Sequence, residues 1–455
     1  MKTKLPMLLI IPLLTVAGLV GCTNENDPNA IKVAIVSDSA ESDTMNNFIK
    51  KYKAIPGNEH KKINVVKMGS SYDDYVFKSY LKNGPADIIQ VYDYSCEYYA
   101  NANLDGLGTS LLKPISSYMQ RDGINESDFY ESIIEMTKCK TDSNDMYWVP
   151  RDYNKVVCAF NKKIFDLVDI PYPTQNWTWN DLVSLCNQLN TQEVRNKVRQ
   201  YSGSVNFFPI DLNLSFPAVY YPILKSFGVD LIDKDTRTCF GNTNEKVNAA
   251  KSAWNKLLTL ADSKLAAPAN GTQIPFTNKQ AAMMFIVRPN LPTYVKSLGN
   301  DAIDFVPLPT YNDLGEGQTS YVGMGCTGYG ITSACSDEKM EAAWDFLKFI
   351  ISEQGQNAFS ESGAGIPCLK ALANDENAVF KQYLVTDTYH PNHEAFTAYP
   401  ERDIGMNFMK GFEVGKQLAI DKYIKDNTLK NFADSSKRDA YFMTYKANME
   451  AIWNS

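Results

Sequence analysis

Apolar and polar residues alternate over 31–36, further strands read over 63–68 and 86–91, and a short, β-branched apolar run occupies 156–160. A two-residue period marks a strand with one buried face, and a short unbroken run marks a strand buried on both. Between these runs the apolar positions recur at helical intervals. This spacing predicts helices over 45–52, 72–81 (broken by Gly84-Pro85), 182–189, 220–227 (stopped at Gly228), 247–260 and 338–351. The aromatic residues over 201–209 surround a further strand, and residues 371–455 are expected to be mostly helical. Three early strands alternating with helices predict a parallel sheet and an α/β fold. In open α/β sheets ligands bind beyond the carboxyl ends of strands. That makes Ser37 and Asp38, after the first strand, candidate contacts; capping of the next helix is the competing role, and both can hold.

The amino terminus has a different pattern. Lys2 and Lys4 precede a 16-residue apolar run, Leu5 to Val20, which carries Pro6 and Pro12 and is short for a bilayer span. It has the form of a secretory signal. It ends in Leu19-Val20-Gly21-Cys22, which matches the bacterial lipoprotein cleavage box; an ordinary signal with a chance cysteine is the alternative. Residues 1–21 are thus expected to be a signal peptide, and the polar stretch 22–30 a flexible tether.

Composition narrows the function. A hydrophobic content of 44% suits a packed soluble protein. The net charge is −7, or −9 without Lys2 and Lys4, and argues against a nucleic-acid partner, since phosphate binding needs a basic face. Eight cysteines follow Cys22 without any CxxC spacing. In an exported chain that number suggests disulfides. Cys158 in the buried run and Cys186 on a helix face favour free thiols instead, and the sequence leaves both open.

Several motifs lead nowhere. The segment 321–331 contains GxGxxG, but Tyr329-Gly330-Ile331-Thr332 continues as a strand where a dinucleotide loop needs a helix. Residues 411–416 give GxxxGK, one residue short of a P-loop, followed by Gln417 rather than Ser or Thr. His390 and His393, beside Glu394, lack further ligands and a regular helix, so a surface loop is expected there and no metal. There is no GxSxG, and three histidines give little support to a nucleophilic triad. No cofactor is expected.

The segment Met146 to Phe165 organises the rest. Tyr147, Trp148 and Pro150 lead through a polar patch (Arg151, Asp152, Asn154, Lys155) into the buried run, Phe160-Asn161-Lys162 and Phe165. This pattern resembles the first interlobe crossing of the family 1 extracellular solute-binding proteins. Pro173 and Trp177-Thr178-Trp179-Asn180-Asp181-Leu182 resemble that family's proline-rich loop and helix start, with Asn-Asp for Asp-Glu. Ala86-Asp87-Ile88, Leu112-Lys113-Pro114-Ile115, Asn278 to Phe285, Asp304 to Pro309, the strand near 331, Ala342 to Ile350, and Gly363-Ala364-Gly365-Ile366-Pro367 follow in the family's order.

The resemblance implies two α/β lobes joined by three crossings, with a ligand cleft at the hinge that closes around its solute. Lobe 1 is expected over 31–154 plus 307–360, and lobe 2 over 155–306 plus 361–455. It implies an acylated Cys22 anchoring a monomer to the outer face of a bacterial membrane, several acyl chains holding where one would not. It further implies a carbohydrate ligand and an ABC permease with a separate ATPase. The expected ligand contacts are Ser37, Asp38, Tyr92, Asp93, Trp148, Arg151, Asp152, Asn154, Arg288, Tyr321, Gly323 and Met324. Phe216 and Tyr220 are candidates for which core packing is the better account. Asn154 stands where maltodextrin-binding relatives carry a carboxylate, so the position is neutral here. A secreted glycan-cleaving enzyme, using two carboxylates from among Asp38, Asp93 and Asp152, is the competing function. Sugar release from a glycan panel separates the two.

Overall fold

The computed structural model describes residues 30–37, 39–68, 86–102, 110–213, 216–233, 236–267, 275–405, 416, 419, 422–423 and 436–455. The expected signal peptide, Cys22, Asp38, the 72–81 helix and all of 411–416 except Lys416 lie outside them. Fourteen strands are named in chain order: β1 (Ala30–Val36), β2 (Lys62–Met68), β3 (Ile88–Tyr92), β4 (Val149–Pro150), β5 (Asn154–Lys155), β6 (Val157–Asn161), β7 (Phe208–Asp211), β8 (Ile232–Asp233), β9 (Thr238–Cys239), β10 (Ala281–Ile286), β11 (Ile303–Pro307), β12 (Val322–Gly325), β13 (Thr327–Ile331) and β14 (Asp403–Gly405).

The fold is mixed α/β, with two lobes, each built on a sheet. The first sheet runs β2-β1-β3-β13-β4, with β1 parallel to β2 and β3, and β13 antiparallel to β3 and β4. The second runs β11-β6-β10-β7. Every residue of β6 and β10 is buried, which is why these runs lack alternation. Helix Trp179–Leu189 begins where its sequence says: the Thr178 side chain accepts from the Asp181 amide, and the Asp181 carboxylate accepts from the Thr178 amide. Ala30 already belongs to β1, so the strand takes the last residue expected of the tether.

The chain leaves the first sheet at β4, passes through β5 and enters the second at β6; it returns from β11 through β12 to β13. β5, β12 and β14 form a third, three-stranded sheet; β5 and β12 each fall in the chain between a strand of one larger sheet and a strand of the other, and β14 joins them from the carboxyl-terminal part. Residues 371–405 are less helical than expected: after helix Lys370–Asn374 they hold three short 3-10 turns and β14, whereas the described residues 416, 419 and 422–423 are helical, as is Arg438–Asn454. Pro391 and Pro400 fall in this stretch, and proline lacks the amide an α-helix needs. All eight described cysteines are buried free thiols. Among the described residues no helix is long and apolar enough to cross a membrane.

Candidate functional site

The three-stranded sheet gathers polar groups at the junction of the lobes. In β5 the side chains alternate between faces. Asn154 lies opposite Gly325 of β12, and Lys155 opposite Met324. Asn154 is 8% exposed, and its Oδ1 accepts no hydrogen bond. Buried polar atoms are rarely left so, because desolvation without a partner costs free energy.

Lys155 and Tyr153 both reach Asp403 of β14. Lys155 Nζ forms an ion pair with Asp403, 2.5 Å from Oδ1, and the Tyr153 hydroxyl donates to Oδ2. Lys155 also donates to the Ala398 and Tyr399 carbonyls. Burial pushes the Asp403 carboxyl up to about 6, against the opposing pull of Lys155 and Tyr153. Burial likewise lowers the Lys155 ammonium, against Asp403. Arg402 donates to the carbonyls of Ser320, Leu308 and Pro309, so the start of β14 is tied to both ends of the segment that links β11 to β12. Lys155 stands inside the polar patch visible in the sequence. Asp403 carries no sequence signal, since its partner Tyr153 is 250 residues away.

A cavity of about 390 Å³ opens between β14 and helix Glu131–Thr137. Glu131, Ser132, Glu135, Glu401 and Asp403 supply its polar lining, and none of its described lining residues is basic.

Asp93 is buried at the end of β3, close to β12. Its Oδ1 accepts from the Tyr94 amide at 2.8 Å and its Oδ2 from the Cys326 amide at 3.3 Å. Burial pushes its carboxyl up to about 7; the two amides oppose the rise, and the nearby Asp152 adds to it. Tyr92, half-buried, stacks on Tyr94 with ring centroids 5.2 Å apart and planes 12° from parallel.

Arg151 and Asp152 are engaged with the protein itself. Asp152 Oδ2 accepts from Arg151 Nε and Nη2, and its Oδ1 accepts from the Thr327 amide. Arg151 Nη1 donates to Glu41, which also accepts from the Tyr329 hydroxyl. Burial opposes the charge on Arg151, but Glu41 and Asp152 outweigh it and hold its pKa well above the ordinary value. These two residues brace lobe 1 rather than present polar atoms to a cleft.

Four further candidates are packed inside the protein, Tyr220 in the core position that was its better account. Trp148 is wholly buried, donates from Nε1 to the Met136 carbonyl, and fills space left by Gly328 and Gly330. Tyr220 stacks on Trp254 in the lobe 2 core. Met324 is wholly buried. Arg288 donates to the Gly363 and Phe380 carbonyls and bonds His393 Nδ1. His393, expected on a surface loop, is therefore buried; desolvation beside Arg288 lowers its pKa to about 3. His390 is exposed.

Ser37 is exposed at the end of β1. Phe216 is half-buried at the start of helix Pro217–Ser226. Tyr321 is half-buried, its amide donating to Ser226 Oγ, and Gly323 packs directly against the Ala218 carbonyl. The structure thus brings Asn154, Asp93 and Tyr92 towards one hinge region, and Phe216, Tyr321 and Gly323 towards the lobe 2 side of it.

Two sheet-based lobes joined through hinge strands define a two-lobed solute-binding protein. The chain belongs to the bacterial extracellular solute-binding protein family, whose profile matches residues 37–357; such proteins act outside the cytoplasm. Among solved structures it is similar to an ABC substrate-binding protein from Listeria monocytogenes in complex with cycloalternan. The two share 17% identity and a TM-score of 0.68, over 93% of this chain and 98% of that one. UgpB from Mycobacterium tuberculosis, in complex with glycerophosphocholine, is similar at 16% identity and a TM-score of 0.68, over 93% and 98% of the two chains. The sugar-binding protein MalE from Xanthomonas citri is similar at 14% identity and 0.67, over 93% and 97%. Identities this low show the fold alone. No curated protein matches by sequence.

Proposed function

We propose that the protein captures a carbohydrate by closing its lobes around it and hands it to an ABC permease driven by a separate ATPase. The observation that carries this is the unsatisfied, buried Oδ1 of Asn154 at the hinge. An amide both donates and accepts, and a sugar hydroxyl can meet either end. The cavity lined by Glu131, Glu135, Glu401 and Asp403, with no basic side chain among its described lining residues, favours a hydroxyl-rich solute over an anion. Neighbours in complex with cycloalternan and maltodextrins agree with this, while the glycerophosphocholine complex marks a zwitterionic alternative, whose phosphate the acidic lining repels and whose choline it attracts.

In this proposal lobe 1 is 31–154 plus 307–360, and lobe 2 is 155–306 plus 361–455, with three crossings. The protein is a monomer, held to the outer face of the membrane through an acylated Cys22. It is not an enzyme: both oxygens of Asp152 and both of Asp93 accept hydrogen bonds from the protein, which suits structural carboxylates better than a glycosidase pair.

A thermal-shift screen of mono- and oligosaccharides, with glycerophosphocholine included, tests the proposal. Binding to the folded state alone raises Tm by mass action. A shift with one sugar class, and no sugar release over time, is expected. A shift with glycerophosphocholine only, or turnover of a glycan, defeats it.

A further inference from the structure

Arg288 is completely buried, and no carboxylate lies within ion-pairing distance of it among the described residues. A buried charge without an acidic partner persists only where the protein satisfies its donors in full. Here Nε donates to the Gly363 carbonyl at 2.9 Å, Nη2 to the Phe380 carbonyl at 2.6 Å, and Nη1 bonds His393 Nδ1 at 2.8 Å. The guanidinium also lies 5.2 Å from the ring centres of Phe380 and Phe396.

These acceptors come from separate stretches of the third passage between the lobes. Gly363 follows helix Glu353–Ser360, which rests on lobe 1: Asn47 donates to the Ala358 carbonyl, and Lys51 pairs with Glu361. Further along, the Tyr153 amide donates to the Ile366 carbonyl. The far end of the passage rests on lobe 2. The Asn392 amide donates to Asp304, its Nδ2 donates to the Phe305 carbonyl, and His393 stacks on Phe305. Arg288 itself follows β10, an inner strand of the lobe 2 sheet. It therefore reaches from lobe 2 to the lobe 1 end of the passage. Gly363 is fitted to this place: its φ is +75°, and a Cβ would meet the Tyr383 ring at 2.4 Å.

We propose that Arg288 is the pivot pin of the third crossing: it fastens the lobe 1 end of that passage to lobe 2 and so sets the balance between open and closed lobes. This rests on the two-lobe closure proposed above. Arg288 is a positioning residue and touches no solute. Lysine cannot replace it, because one ammonium lacks the fork that serves three divergent acceptors.

The test is a pulsed-EPR distance measurement on the ligand-free exported protein, labelled at Glu59→Cys and Arg199→Cys, exposed positions on opposite lobes. A pair within lobe 1, Glu59→Cys and Glu338→Cys, is the control. The native cysteines described are buried, so the introduced thiols label selectively. Wild type is expected to show a broader interlobe than intralobe distribution. Arg288→Met is expected to shift the ratio of long to short interlobe distances about tenfold, with Arg288→Lys failing to restore it. His393→Ala, which keeps two of the three acceptors, is expected to shift the ratio less and serves if Arg288→Met does not fold. A lower Tm with an unchanged distribution in the folded variants overturns the pin. An interlobe distribution as narrow as the control in every variant, wild type included, overturns lobe closure with it.

Discussion

Asn154 faces Gly325 across the antiparallel β5–β12 pair, at the junction of the lobes, and its buried Oδ1 accepts no hydrogen bond. No protein group depends on that oxygen, so its loss weakens solute binding more than folding. Asn154→Leu should cost roughly 1–3 kcal/mol of affinity, about 5- to 150-fold, by leaving solute hydroxyls unpaired. Asn154→Ala should cost less if water enters. Calorimetric titration with the sugar found by thermal shift measures both. A folded Asn154→Leu protein binding at wild-type strength would remove Asn154 from the site.

Asp93 makes stability depend on pH in the direction opposite to a salt-bridged carboxylate. Its folded pKa is raised to about 7, above that of an exposed aspartate. The folded state thus holds its proton where the unfolded state has lost it, and stability falls as pH rises from about 4 to about 7. Above that window the cost is constant. Asp93→Asn should flatten this part of the pH profile, as read from Tm at half-unit pH steps. A profile in Asp93→Asn as steep as wild type would assign the slope to other groups, Asp403 foremost.

Trp148 is expected to govern stability rather than affinity. It is wholly buried against Gly328 and Gly330. Trp148→Ala opens a cavity in lobe 1 and should destabilise by about 3–5 kcal/mol. Affinity measured on the folded fraction should stay near wild type. A large affinity loss at unchanged Tm would return Trp148 to the cleft.

The fate of Trp148 shows what was legible in the sequence. The patterns at 31–36, 86–91 and 156–160 marked strands of both sheets, because hydrophobic period depends on neighbours along the chain. The capping box at Thr178 and Asp181 was equally local. Side-chain direction was not local. Arg151, Asp152 and Arg288 are engaged by partners far along the chain: Arg151 by Glu41, Asp152 by the Thr327 amide, Arg288 by Gly363 and His393. Asp403 and Glu401 were invisible for the same reason. The expected helical run after 371 gives way over 389–405, because proline and ties to β11 and β12 hold that stretch in turns and a strand, while the described residues beyond it are mostly helical.

Leu19-Val20-Gly21-Cys22 matches a lipoprotein cleavage box, and the anchor proposed above rests on acylation of Cys22. Cys22→Ala should leave export intact and abolish partition into detergent on phase separation. One acyl chain holds a protein only marginally, so intermediate partition of wild type would point to incomplete acylation. Wild type that is unacylated and freely soluble would end the anchor proposal.

Gly323 is required by space rather than by backbone angle. A Cβ there would lie 1.9 Å from the Ala218 carbonyl oxygen and 2.7 Å from its carbon, both backbone atoms at the start of helix Pro217–Ser226. No rotamer change relieves such a clash, so either the helix or β12 must move. β12 cannot move alone, because it pairs with β14 on one side and with β5, at Asn154 and Lys155, on the other. Gly323→Ala should therefore destabilise by about 1–3 kcal/mol or more and shift the hinge strand beside Asn154, weakening solute binding in whatever protein folds. Gly315→Ala is the control: the nearest atom to its added Cβ is Gln318 Oε1 at 3.4 Å, the end of a flexible side chain. It should leave Tm and affinity near wild type. If Gly323→Ala matches that control in both measurements, helix Pro217–Ser226 does not bear on β12 as closely as the structure shows, and the hinge strand is not braced from lobe 2.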